Sequence, residues 1–225
     1  MEVNKLNIMD NLLIFMHIPK TGGTTLSSII QKQYNRNVVL TGNTDMNVKD
    51  IEKSNSLMGH FYFGIHHQFS KPCTYITMMR NPVEQVISLY FYIKETELHP
   101  YHNEVNKKSF TEFINSKEYD FSNLQTRYFC GGSSPDLAQA KETINKHFSV
   151  VGIAEMFDDS LSLMKHRLGW NNIEYHKENV NKNRPFKKEI PANYFSNIIQ
   201  NNTLDLELYK YAKEKLINEI DAMKE

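Results

Sequence analysis

A continuous apolar run, Leu12-Leu13-Ile14-Phe15-Met16-His17-Ile18, is broken by Pro19-Lys20-Thr21-Gly22-Gly23-Thr24-Thr25. Leu26, Ile29, Ile30 and Tyr34 follow at helical spacing. The run is short and lacks polar alternation, which predicts a strand buried on both faces, as in a parallel sheet. The segment therefore reads strand, glycine-rich turn, helix. A second unit of the same kind follows. Thr74 to Met79 reads as a buried strand that ends at Arg80. Asn81 is a good N-cap, Pro82 suits the first helical position, and Glu84 completes a pattern like a capping box. Val83, Val86, Ile87, Tyr90 and Phe91 then lie on one helical face.

The remaining elements are weaker. Asn37 to Leu40 reads as a short strand, Gly59 to Gly64 as a short strand or tight loop, and Phe148 to Ile153 as a strand. Ser109 and Glu112 cap a short helix, Pro135 to Lys146 reads as a helix, and a helix holding Phe157, Leu161, Met164 and Leu168 stops at Gly169. A last helix, rich in Lys and Glu, starts near Thr203. Strands alternating with helices predict a three-layer α/β domain with a central, mainly parallel sheet. At 225 residues, the chain is expected to be a single domain, 1–225.

Composition narrows the function. Hydrophobic residues make up 40% and charged residues 23%, as expected of a folded domain. The formal net charge is zero, without the basic excess of a nucleic-acid binder. No stretch has the length of a transmembrane helix, and residues 1–11 lack a basic-then-apolar leader pattern. The two cysteines, Cys73 and Cys130, do not suggest a disulfide scaffold, so the expected location is cytoplasmic. No metal site is expected: His66 and His67 are adjacent, and no cysteine pair has zinc spacing.

A glycine-rich turn between a buried strand and a helix is a ready anion site, because backbone N–H groups and the helix dipole converge there. Gly22 and Gly23 let the main chain approach phosphate oxygens, Thr24 and Thr25 add hydroxyls, and Lys20 supplies a positive charge. The pattern is not Walker A, in which Lys follows the last glycine and precedes Ser or Thr. Arg80, with Ser88 in the second turn of the next helix, can bind a second phosphate. Alternatively, Arg80 pairs with a local acid such as Glu84.

The run His17-Ile18-Pro19-Lys20-Thr21-Gly22-Gly23-Thr24-Thr25-Leu26 resembles the 5′-phosphosulfate loop of the carbohydrate sulfotransferases, closest to the heparan and dermatan sulfate uronosyl O-sulfotransferases. Tyr75 to Tyr90 resembles their 3′-phosphate motif, with Asn81 where many relatives have Asp. The resemblance spans roughly Leu12 to Pro185. It implies a fold like that of the P-loop NTPases and 3′-phosphoadenosine 5′-phosphosulfate (PAPS) as sulfuryl donor, without a metal. The acceptor would be a hydroxyl, of a carbohydrate or glycoconjugate. Lys20 to Thr25 would hold the phosphosulfate, Lys20 would assist departure of the nucleotide, and Arg80 and Ser88 would hold the 3′-phosphate. Gly59-His60 resembles the family's Gly-His element, which makes His60 the expected base, with His66 and His67 as rivals.

Further family-like segments carry less. In Asn123 to Gly131, Gln125 and Arg127 would face the acceptor or order the site, and His66 is a further acceptor contact. Glu155 would support the site or cap the next helix. In Asn179 to Pro185, Lys182 and Arg184 would close over the nucleotide, or else form a solvated basic loop. Two other functions use the same loop: a kinase-like phosphotransferase, which needs magnesium ligands that no clear Walker B aspartate supplies, and a non-catalytic nucleotide-binding protein.

Overall fold

The computed structural model describes residues 11–40, 47–116, 121–175 and 192–225. In chain order the elements are β1 (Leu12–Met16), α1 (Gly23–Gln33), β2 (Asn37–Leu40), α2 (Val48–Glu52) and β3 (Ser56–Gly59). Then come β4 (Cys73–Met79), α3 (Pro82–Glu95), α4 (His102–Asn106), α5 (Phe110–Ile114) and α6 (Leu124–Phe129). The chain continues through α7 (Leu137–His147), β5 (Phe148–Ile153), α8 (Phe157–Leu168), α9 (Ala192–Asn201) and α10 (Thr203–Lys224).

The five strands form one sheet in the order β2-β3-β1-β4-β5, and every pair is parallel. The connection from β1 to β2 moves one way along the sheet, and those from β3 to β4 and β4 to β5 move the other. Right-handed crossovers in opposite directions put helices on both faces, which gives three layers. All five residues of β1 are buried, as a strand covered on both faces requires. Fully burying each such side chain contributes about 1.5–3 kcal/mol. A second apolar cluster joins Ile87, Tyr90 and Ile93 of α3 to Val105, Phe113 and Ile198.

Local signals account for most element ends. Asn81 Oδ1 accepts from the N–H groups of Val83 and Glu84, with Pro82 at the first helical position. The Ser109–Glu112 capping box forms in both directions. Gly169 ends α8 at φ 67°.

Three expectations shift. β1 stops at Met16, two residues early. α7 begins at Leu137 rather than Pro135, because Asp136 caps it by accepting from Gln139 N–H at 2.8 Å. Gly59 to Gly64, read as a short strand or tight loop, is a loop after Gly59, and the strand lies before it, at Ser56–Gly59. Phe61 and Phe63 pack their rings against the core instead of joining the ladder. Gly64, at φ 109°, turns the chain back towards β4.

Candidate active site

In open parallel sheets, ligands sit at the carboxyl ends of strands where the order reverses. Here β1 lies between β3 and β4. The three segments leaving those strands carry His60, the Lys20 loop and Arg80, so adjacency in the sheet sets these groups in a row.

The middle position is the loop 17–25. Lys20 sits in the left-handed region at φ 65°, a conformation that a non-glycine residue holds only when its surroundings impose it. Gly22, at φ 86°, precedes α1, whose first turn carries no acidic residue and whose N-terminus has no side-chain cap. An uncapped helix N-terminus of this kind favours an anion, through its leading N–H groups and its dipole. Gly23 is required by its neighbour, because a Cβ there would lie 2.0 Å from the His17 ring.

Of the threonines, Thr24 is exposed and lines the cleft, while Thr25 is buried. Thr21 is wholly buried and its hydroxyl donates to the Ile18 carbonyl at 2.8 Å, so its side chain braces the loop from inside. The Lys20 ammonium lies 3.9 Å above the centre of the Tyr92 ring.

On one side stands His60. Its Nδ1 is 2.7 Å from the His17 carbonyl oxygen. A carbonyl only accepts, so Nδ1 carries the proton and the neutral ring keeps its lone pair on Nε2. Burial of much of the ring lowers its pKa below the ordinary 6.5, while the bond to His17 acts in the opposite sense. One edge stays open to solvent. The His17 ring lies 4.3 Å from that of His60, and burial, with His60 and Lys20 nearby, pulls its pKa down to about 3. Both rings are neutral at pH 7.

On the other side stands Arg80. Its Nη1 donates to the Lys20 carbonyl at 3.1 Å. Its Nη2 stands 3.8 Å from Glu84 Oε2, so the local pairing with Glu84 exists, but at a length beyond a hydrogen bond. Gln85 Nε2 donates to the Pro19 carbonyl at 2.9 Å. The second strand-turn-helix unit thus holds the first by two consecutive carbonyls. Ser88 is half-buried on α3, one turn beyond Glu84 and one before Tyr92.

A cleft of about 800 Å³ opens beside this row. His17, Pro19, Lys20, Thr24 and His60 line it. So do aromatic side chains, among them Tyr62, Tyr92, Tyr101 and Tyr128, with Glu95 and His99.

The remaining expected site residues fall elsewhere. His66 and His67 do not line this cleft. His66 Nδ1 lies 2.9 Å from the Tyr75 hydroxyl, and its ring packs near His67 and His147. His147 directly precedes β5, so that cluster sits towards the amino-terminal edge of the sheet. Gln125 is wholly buried, with its amide bonded to the Arg80 backbone. Arg127 Nη2 donates to the Ser122 carbonyl at 3.3 Å. Glu155 Oε1 accepts from Asn81 N–H at 3.0 Å, which makes it a support for the Arg80 turn. Lys182 and Arg184 lie outside the described residues.

Sequence reasoning missed Tyr92, Asp205 and Tyr209. Tyr92 had a usable signal: it lies off the apolar stripe of α3, four residues after Ser88 on the same face. Asp205 and Tyr209 had none, since their partners lie some eighty and fifty residues earlier. Among the described residues no group of three or more His, Cys, Asp or Glu could hold a metal ion. No helix among them is long and apolar enough to cross a membrane.

Heparan sulfate 2-O-sulfotransferase 1 of Mus musculus is 26% identical over 194 residues, covering 69% of this chain and 54% of the relative. The heparin sulfate O-sulfotransferase of Drosophila melanogaster is 23% identical over 211 residues, covering 76% of this chain and 60% of the relative. This chain thus spans little more than half the length of the curated relatives it matches. Among solved structures, mouse sulfotransferase SULT7A1 complexed with PAP superposes with a TM-score of 0.47 at 13% identity, covering 85% of this chain and 64% of that one. The model of the galactose-3-O-sulfotransferase family matches residues 10–224, nearly the whole chain, and the chain belongs to that family.

Proposed function

We propose that this chain transfers a sulfuryl group from PAPS to a carbohydrate hydroxyl. One observation carries the reading: His60, with its lone pair on Nε2, and Lys20 line the same cleft, both close to His17. A proton acceptor and a cation therefore flank the place where a hydroxyl would meet an activated sulfuryl group.

The residues fit such a donor. The uncapped N-terminus of α1, the left-handed Gly22 and the exposed Thr24 suit the 5′-phosphosulfate. Arg80 and Ser88 suit the 3′-phosphate, with the Arg80 guanidinium already fixed by the Lys20 carbonyl. Lys182 and Arg184 belong to the same proposal as contacts to the nucleotide. The donor supplies a sulfuryl group on a good leaving phosphate. The protein supplies positioning and charge.

His60 Nε2 takes the acceptor proton as the hydroxyl oxygen bonds to sulfur. The bond from sulfur to the bridging phosphate oxygen breaks, and Lys20 offsets the charge left on that oxygen. The His17 carbonyl stabilises the His60 imidazolium through Nδ1–H until the proton leaves to water. The aromatic wall offers flat apolar faces to a pyranose, and Glu95 can accept from its hydroxyls. Cytoplasmic placement is part of the proposal, resting on two unpaired cysteines, Cys73 and Cys130. The single-domain reading, 1–225, belongs to it as well.

The test is transfer of labelled sulfate from PAPS to a panel of galactosides and uronic-acid oligosaccharides. Labelled product that requires both Lys20 and His60 supports the reading. Labelled product formed equally well by folded Lys20→Ala and His60→Ala would sink it.

A further inference from the structure

Arg80 lies beyond both of the ladders that hold β4, three residues past Thr77, which pairs with Met16, and one past Met79, which pairs with Ile153. Its peptide groups therefore need partners other than a strand. Gln125 provides them. Arg80 N–H donates to Gln125 Oε1 at 3.0 Å, and Gln125 Nε2 donates to the Arg80 carbonyl at 2.8 Å. A side-chain amide here replaces a neighbouring strand. The next peptide is held in the same way, as Asn81 N–H donates to Glu155 Oε1 at 3.0 Å.

Both clamps lead to α10. Asp205 Oδ2 accepts from Gln125 N–H at 3.0 Å, and Asp205 Oδ1 accepts from the N–H and hydroxyl of Thr126 at 2.6 and 2.7 Å. This buried carboxylate fixes the first turn of α6, and with it Gln125. One helical turn further on, the Tyr209 hydroxyl donates to Glu155 Oε2 at 3.1 Å. Asp205 and Tyr209 are four residues apart and so share a face of α10.

We infer that α10 positions Arg80 through two relays, Asp205–Gln125–Arg80 and Tyr209–Glu155–Asn81. Gln125 and Glu155 are therefore positioning residues for the 3′-phosphate site rather than acceptor contacts. The inference rests on the proposed role of Arg80. Each relay acts on a backbone group at the strand exit, so slack in either one lets the guanidinium drift from its set position. The nucleotide then loses the contribution of its 3′-phosphate and keeps that of its 5′ end.

Calorimetric titration of the full chain with 3′-phosphoadenosine 5′-phosphate and with ADP tests this. Arg80→Ala comes first and is expected to weaken only the 3′-phosphorylated nucleotide. If it does not, the donor reading fails and takes this inference with it. Gln125→Met keeps the side-chain volume, and Tyr209→Phe removes a single hydroxyl, so the second decides if the first does not fold. Gln125→Met should weaken the 3′-phosphorylated nucleotide by about tenfold and Tyr209→Phe by about threefold, with ADP unchanged. Neither should weaken it further in the Arg80→Ala background, as expected of coupled groups. Equal loss of both nucleotides, or no loss in either folded variant while Arg80→Ala behaves as expected, would overturn the relays.

Discussion

The two strand-turn-helix units differ in how their turns are held. In the Lys20 turn, side chains hold carbonyls, while a left-handed lysine and a left-handed glycine lead to a helix N-terminus without a side-chain cap. The Arg80 turn is shaped by side chains, with Asn81 capping its helix while Gln125 and Glu155 hold its peptides from elsewhere. A turn held by its carbonyls keeps its N–H groups for a ligand. A turn held at its N–H groups uses them internally and presents a guanidinium instead. The first suits the end of a donor where charge develops, and the second suits a fixed anchor.

The contrast is sharpest in turnover. Lys20→Ala is expected to lower transfer by roughly 10²–10³-fold with the fold intact, since it removes charge at the departing phosphate. His60→Ala should cost a comparable roughly 10²–10⁴-fold, as loss of a general base does. Single-turnover assays with labelled PAPS measure both. The wild-type rate should rise with pH through a value below 6.5 and level off above it, because His60 acts when neutral and burial lowers its pKa. His60→Ala should lose that acid limb.

Gly23→Ala tests the Lys20 turn itself. The new Cβ would strike the His17 ring, which must move and disturb its packing against the His60 ring. A loss of about 1–3 kcal/mol in stability is expected, as for other forced overpacking, measured by chemical denaturation. Transfer should fall with it.

His17 gives a smaller effect, seen only in acid. Unfolded, it gains its proton near pH 6.5, and folded only near 3. Its share of the stability is therefore complete above about pH 6.5 and declines as the pH falls towards 3. Denaturation midpoints across that range should fall more steeply for the wild type than for His17→Asn.

The smallest effect belongs to the Arg80 turn. Asn81→Ala removes one cap and should cost about 1 kcal/mol, visible as a lower melting temperature. Gln125 and Glu155 still hold the turn, so 3′-phosphate binding should drop only a few-fold.

The same contrast explains what could be read from the sequence. The Lys20 loop was legible because a buried strand, two glycines and a helix stripe are all local to some twenty residues. The Asn81 cap and Pro82 were legible for the same reason. The role of Gln125 was not, because its partners, Arg80 and Asp205, lie forty-five residues before it and eighty after it. His66 and His67 competed with His60 because they are near it in sequence. The turn at Gly64 then carries them back under Tyr75, which no local pattern states. β3 escaped notice because its two large apolar residues, Leu57 and Met58, are too few to show a period.

The account stands on a donor that carries a 3′-phosphate, and titration calorimetry of the wild type and Arg80→Ala tests that most directly. Binding of 3′-phosphoadenosine 5′-phosphate well above ADP, with the difference lost in Arg80→Ala, is the expected result. Binding of ADP as tight or tighter, unchanged in Arg80→Ala, would contradict the account and favour a phosphotransferase.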